Sequence, residues 1–257
     1  MPRSRLDRRD FLRTSVALGA GAAALGSLPG VADATPGRRA GGPLVLTSHD
    51  NATGQEAVRQ AWTLLSAGGS ALDAVERGAN VIEVDPNDHS VGLAGLPNED
   101  GVVQLDASIM DGRTYSAGAV ASLENIVRAS SVARRVMEHT DHVMLAGPGA
   151  LAFARSFGFK EENLLTDEAR EIWIRWREQH SDTDKWGPPE HLKGTGIRIG
   201  GGREGLGDQP FETTHGTTNV LAVDGNGDIA GITTTSGFAW KVPGRVGDSP
   251  IIGAGLY

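Results

Sequence analysis

Thr217 opens a strand-like run, Thr217–Val223, straight after Gly216 and a long stretch rich in Gly, Pro and charge. A threonine hydroxyl is a weak nucleophile unless a base stands beside it. One solution makes the threonine the first residue of a chain, so that its own α-amine, with a pKa of about 8, takes the proton. Gly216 suits such a cut. Without a Cβ, the peptide before Thr217 can adopt a strained geometry and the hydroxyl can reach its carbonyl. Taken alone, a Gly-Thr pair more often just starts a strand. A second group is Arg245-Val246-Gly247-Asp248. A guanidinium fork fits a carboxylate and an Asp carboxylate fits an ammonium, the two charges of a free amino acid. The plain alternative there is a surface ion pair around a glycine turn.

Other candidates are weaker. Asp224-Gly225-Asn226-Gly227-Asp228 begins like a calcium loop, but its twelfth position is Thr235 instead of Glu and its sixth is not Gly, so a hairpin turn is expected. Gly200-Gly201-Gly202 with Gly205 and Gly207 lacks the Gly-Lys-Ser/Thr of a phosphate loop and reads as linker. His139 and His142 have the residue type of metal ligands, yet His139 is better explained as a favourable helix end and His142 as a strand start. Trp173 and Trp176 share a helix face and read as packing residues. No cofactor and no metal are expected.

These residues need elements to hold them. Pro43–Ser48 reads as a buried first strand. Gln55–Ala67 and Ala71–Val84 have helical spacing, the first stopped by Gly68-Gly69, the second capped by Ser70 and ended at Asp85-Pro86. Val102–Asp106 and Thr114–Ala117 read as strands around an Asp111-Gly112 turn. Ser131–Glu138, Ala150–Phe157 and Asp167–Gln179 read as helices, and His142–Ala146 as a buried strand. Residues 181–216 carry no apolar period and form a linker, which at that length inside a domain is either functional or disordered. Thr217–Val223 and Ile229–Thr235 then form a strand hairpin. The helix–strand alternation alone suggests a parallel α/β sheet.

Composition narrows the functions. The chain has 257 residues, a net charge of −8 and no Cys. The acidic balance argues against nucleic acid, whose phosphates need Lys and Arg. Without Cys there are no disulfides, thiol nucleophiles or Cys-ligated metals. No apolar run reaches the roughly 18 residues of a spanning helix. Arg8-Arg9-Asp10-Phe11-Leu12 precedes a small apolar run, Val16 to Pro29, and then Ala32-Asp33-Ala34. This is the order of a secretory signal, of the twin-arginine type, over residues 1–34. The mature protein, residues 35–257, is expected to be exported to the periplasm or the extracellular space, with no membrane attachment after signal removal.

From Leu44 to Tyr257 the chain resembles glycosylasparaginases and the related plant-type asparaginases. The matching blocks are GGSALDAVERG (68–78), SVGLAG (90–95), LDASIMDG (105–112), HGT (215–217) and GRVGDSPIIGAG (244–255), all in one order. The resemblance implies an α+β fold, a four-layer αββα sandwich of the N-terminal-nucleophile hydrolase type. It implies self-cleavage between Gly216 and Thr217, leaving an α chain of 35–216 and a β chain of 217–257. Thr217 would then attack the side-chain amide of an asparagine-type small molecule through an aspartyl ester. Thr235, in the TTTSG stretch, corresponds to the family's second threonine. Arg245 and Asp248, with Val246 and Gly247 between them, correspond to the residues that hold the substrate's α-carboxylate and α-amine. A homo-oligomer of αβ pairs is implied as well. The activity implied first is cleavage of N4-(β-N-acetylglucosaminyl)-L-asparagine. An L-asparaginase or isoaspartyl dipeptidase of the same family is the alternative, and an inactive exported binding fragment is another.

The chain departs from the pattern in three places. His49, in Thr47-Ser48-His49-Asp50, stands where glycosylasparaginases carry a substrate-framing Trp. Gly216 replaces their usual Asp, as in the plant-type enzymes. The family also continues through more strands and helices past the position of Tyr257, including a substrate-binding Thr-Gly segment. The C-terminal part of the sandwich is therefore expected to be missing, with apolar sheet surface left uncovered.

Overall fold

The computed structural model describes residues 42–179 and 217–257. The expected signal (1–34), the linker (181–216) with its glycine cluster, and Gly216 lie outside the described residues. Among the described residues there is one six-stranded sheet. Its strands are β1 (Leu44–Thr47), β2 (Gln104–Asp111), β3 (Ser116–Glu124), β4 (Met144–Ala146), β5 (Thr217–Val223) and β6 (Ile229–Thr235), in the order β1-β5-β6-β2-β3-β4. The helices are α1 (Ala52–Ser66), α2 (Ala71–Glu83), α3 (Ala129–His139), α4 (Gly147–Ser156) and α5 (Asp167–Gln179). Only β3 and β4 pair in parallel. The other neighbours are antiparallel, so the parallel sheet suggested by element order does not form. Element order records only succession along the chain, whereas β5 and β6 insert between β1 and β2 from far along it. The mixed α/β content agrees with the implied fold class in its coarse form.

The two ends of the sheet differ from the reading of the sequence. β1 and β4, expected to be buried, are the edge strands, and only Val45 of β1 is buried. An apolar run cannot reveal whether one neighbour or two will flank it. β2 and β3 run several residues beyond their expected bounds, meeting at the Asp111-Gly112 turn.

Local chemistry accounts for the helices. Asn51 caps α1 by accepting the Gly54 N–H at 3.0 Å, and Ser70 caps α2 by accepting the Asp73 N–H at 3.1 Å. The 224–228 turn is the expected hairpin turn. Asp224 accepts the Asn226 N–H through Oδ1 and reaches the Ala71 N–H through Oδ2, tying the β5–β6 hairpin to the start of α2. Gly118 lets α3 lie close on β3, since a Cβ there would sit 2.3 Å from the Ala133 carbonyl oxygen. Trp176 stacks on Trp240 at 4.9 Å and Trp173 donates to the Glu99 carbonyl, so both serve packing as expected.

The strand period sorts the two faces of the sheet. Val220, Ala222, Ala230, Ile232, Ala107, Ile109 and Val120 face the helices and belong to the core. Thr217, Thr235 and Asp106 are register partners across β5, β6 and β2 and so share the opposite face. The next row on that face is Asn219, Thr233 and Ser108.

Candidate active site

Thr217 is exposed at the head of β5 and lies opposite Thr235, which is buried at the end of β6. The sequence singled out both, and the register brings them together. The Thr217 hydroxyl lies 3.3 Å from the Ser249 Oγ. The Ser249 carbonyl accepts the Ser108 hydroxyl at 2.7 Å, and the Gly255 carbonyl accepts the Thr233 hydroxyl at 2.9 Å. The C-terminal segment is thereby held against the polar face. Thr235 Oγ1 accepts the Gly237 N–H at 2.8 Å, which shapes the turn leaving β6. Gly237 has φ +73, and its missing side chain leaves room for two cations. A Cβ there would sit 2.9 Å from Lys241 Nζ and 3.3 Å from Arg245 Nη1.

Arg245 therefore reaches the turn just beyond Thr235. Its guanidinium lies over the Phe238 ring, 4.2 Å from the centroid. That cation–π contact, instead of an ion pair with Asp248, is what the structure gives it. Val246 and Asp248 are exposed on the same loop, and Gly247 is half-buried between them. The described residues thus assemble Thr217, Thr235 and Arg245, with Asp248 on the rim.

Sequence reading missed the groups beneath this rim. Asp106 is fully buried, and its Oδ1 accepts the Ser122 N–H at 2.7 Å. A bulge in β3 makes that bond possible. Ser122 takes a left-handed backbone (φ +49) where β3 has one residue more than β2, which turns its N–H onto the carboxylate. Asp106 Oδ2 has no hydrogen-bond partner. Burial pushes the Asp106 carboxyl up, while the field of Lys241, the Ser122 and Gly247 N–H groups and the field of Arg245 oppose that. Burial holds the Lys241 ammonium below its ordinary range and nearby Arg245 adds to this, while Asp106 acts the other way. A sequence signal for Asp106 did exist: a charged residue inside an apolar strand is unusual.

A second network surrounds His49. Its Nε2 lies 2.6 Å from Asp88 Oδ2. Asp88 Oδ1 accepts the Ser90 N–H at 2.7 Å, and the Ser90 carbonyl accepts the Ser236 N–H and hydroxyl at 3.0 and 2.7 Å. The substituted position His49 is thereby linked to the residue that follows Thr235. Burial alone would raise the Asp88 carboxyl; bonds from His49 and Ser90 outweigh it and hold the group below its ordinary range. His139, weighed as a metal ligand, ends α3 and packs its ring on Phe157 at 5.0 Å.

A mixed sheet backed by helices thus carries a threonine at the head of one strand and a guanidinium near the turn that follows a second threonine. The chain belongs to the asparaginase family, whose model matches residues 45–257. Membership implies the N-terminal-nucleophile hydrolase fold. An Elizabethkingia miricola protein named N(4)-(Beta-N-acetylglucosaminyl)-L-asparaginase is 42% identical over 255 residues, 98% of this chain and 66% of that protein. A Mus musculus protein of the same name is 40% identical over 210 residues, 79% of this chain and 61% of that one. A plant-type L-asparaginase from Pyrococcus abyssi is 42% identical over 203 residues, covering 79% and 62%. The chain spans less than two thirds of the length of these relatives.

Proposed function

We propose that the chain is a self-processing amidohydrolase that acts on N4-(β-N-acetylglucosaminyl)-L-asparagine. The observation that carries this reading is the register of Thr217 with Thr235 at the edge of a polar sheet face, one turn from the Arg245 guanidinium. The names of the Elizabethkingia and mouse relatives support the substrate. Cleavage before Thr217 frees its α-amine as the base. The Thr217 hydroxyl gives its proton to that amine, and its oxygen attacks the side-chain amide carbon. The C–N bond breaks, the glycosylamine leaves with the proton, and an aspartyl ester remains. Water then attacks the ester, releasing aspartate and restoring the hydroxyl. Thr235 lines the oxyanion side, where a positioned donor stabilises developing charge. Arg245 anchors the α-carboxylate and Asp248 the α-amine.

A second reading within the family is an L-asparaginase or isoaspartyl dipeptidase. His49 in place of Trp, Gly216 in place of Asp, and the Pyrococcus relative favour it. Export by the twin-arginine route and assembly of αβ pairs into a homo-oligomer complete the proposal. The test begins with intact mass and N-terminal sequencing of the purified protein beside a Thr217→Ala control. A new chain starting Thr217-Thr218-Asn219, absent from the control, is expected. An uncleaved wild-type chain after long incubation overturns self-processing. Relative rates on glycosylasparagine and β-aspartyl dipeptides then separate the two readings, and a preference for the dipeptides defeats the first.

A further inference from the structure

Asp106, Lys241 and Arg245 form a charge cluster directly under the candidate site. Asp106 shares a cross-strand row with Thr235 and Thr217, is fully buried, and leaves Oδ2 without a hydrogen-bond partner. Lys241 is also buried, 4% exposed, and donates from Nζ to the Gln104 carbonyl at 2.9 Å. Gln104 reaches the same loop again, accepting the Gly244 N–H through Oε1 at 2.9 Å. The ammonium is therefore fixed at the start of β2, two residues from the carboxylate. Neither Lys241 nor Arg245 makes an ion pair within 4.0 Å among the described residues, and both bring their charged ends to Gly237. A buried carboxylate with one oxygen unpartnered is stabilised by a nearby cation. Two cations compete for that role, and only one is available at the surface of the site.

We propose that Lys241 is a positioning residue for Arg245: it balances the buried Asp106 carboxylate and so leaves the Arg245 guanidinium on Phe238, free to take a ligand carboxylate. The cluster then carries one net positive charge, matched to a single carboxylate. Without Lys241, the free Asp106 oxygen draws Arg245 inward and the anchor is lost. This rests on the proposed amino-acid site for its ligand, but the placement of Arg245 can be tested without any ligand.

The experiment compares wild type, Lys241→Met and Asp106→Asn/Lys241→Met in the full chain. The first readout is the Arg245 Nε–H resonance of ligand-free protein, assigned by its loss in Arg245→Lys. It is expected to shift in Lys241→Met and to return to the wild-type position in the double variant. The second is calorimetric binding of L-aspartate. Lys241→Met is expected to weaken it by about tenfold or more, and the double variant to recover to within about threefold of wild type. An unmoved signal in Lys241→Met, or no recovery in the double variant, overturns the proposal, because a merely structural lysine would not be rescued by deleting its partner. If Lys241→Met does not fold, the neutral double variant decides: a loss of about tenfold or more there overturns the proposal. If no variant and no wild type binds L-aspartate while the signal shifts and returns, the proposed substrate reading fails and the positioning role stands.

Discussion

The two faces of the sheet are built from the same strands and do opposite things. On the helix side, Val220, Ile232 and Ile109 form one apolar row, and Gly118 continues it beneath α3. One residue away along each strand the row is Asn219, Thr233 and Ser108, and two residues further on the same face it is Thr217, Thr235 and Asp106. A period of two lets one strand serve a core and a site at once, because neighbouring side chains cannot share a face. Polar side chains on the helix side include Thr218 and its partner Thr234; the Thr234 hydroxyl donates to Glu83 at 2.8 Å, and Glu83 also accepts the Ser130 N–H and hydroxyl. On the opposite face, apolar side chains lie toward the β1 side and the hairpin end instead, where Leu44, Leu46, Leu221 and Ile229 are exposed.

The largest expected effect falls on the polar face. Thr217→Ala should abolish both the new N-terminus and turnover, a loss of about 10⁴-fold or more in kcat, with the urea midpoint nearly unchanged. A variant that still turns over would break the division, since chemistry would then not depend on this row.

The core face should respond in the opposite way. Ile232 is fully buried, so Ile232→Ala is expected to cost about 2–5 kcal/mol in urea unfolding. A change in KM without a change in stability would contradict that assignment.

Glu83 sharpens the comparison through pH. Burial pushes its carboxyl up to about 7, against the bonds it accepts from Ser130 and Thr234. The folded protein then binds this proton more tightly than the unfolded chain does, so stability falls as pH rises from the unfolded pKa of 4.5 to about 7. At roughly 1.4 kcal/mol per unit of pKa, the loss is about 3 kcal/mol. Urea midpoints at pH 4.5 and 8 should show it in the wild type and not in Glu83→Gln. Equal pH dependence in both proteins would remove Glu83 as its source.

The smallest effect tests the covering segment. Ser249→Ala removes the hydroxyl beside Thr217 but keeps the Ser249 carbonyl that holds Ser108. A change of about tenfold or less in turnover is expected, with stability shifted by about 1 kcal/mol. A collapse as large as that of Thr217→Ala would place Ser249 inside the chemistry.

Legibility followed the same division. The hairpin strands Thr217–Val223 and Ile229–Thr235 and the helix Asp167–Gln179 have the bounds their patterns suggest, because local period and turn residues set them. Thr217, Thr235 and Arg245 were visible through matching blocks and the chemistry of their types. Asp106, Lys241, Ser249 and the His49–Asp88 pair were not. Each depends on partners far along the chain, such as Ser108 with Ser249 or Lys241 with Gln104, and spacing carries no record of such pairs. The edge positions of β1 and β4 were hidden for the same reason.

Residue types and their local order were enough to settle the family and where the strand beginning at Thr217 starts, since each is a property of neighbouring residues. Which threonine faces which, and which cation balances the buried carboxylate, was decided only when β5 and β6 inserted between β1 and β2. That insertion joins residues more than a hundred positions apart, such as Thr47 and Val220, and it sets register, burial and field together.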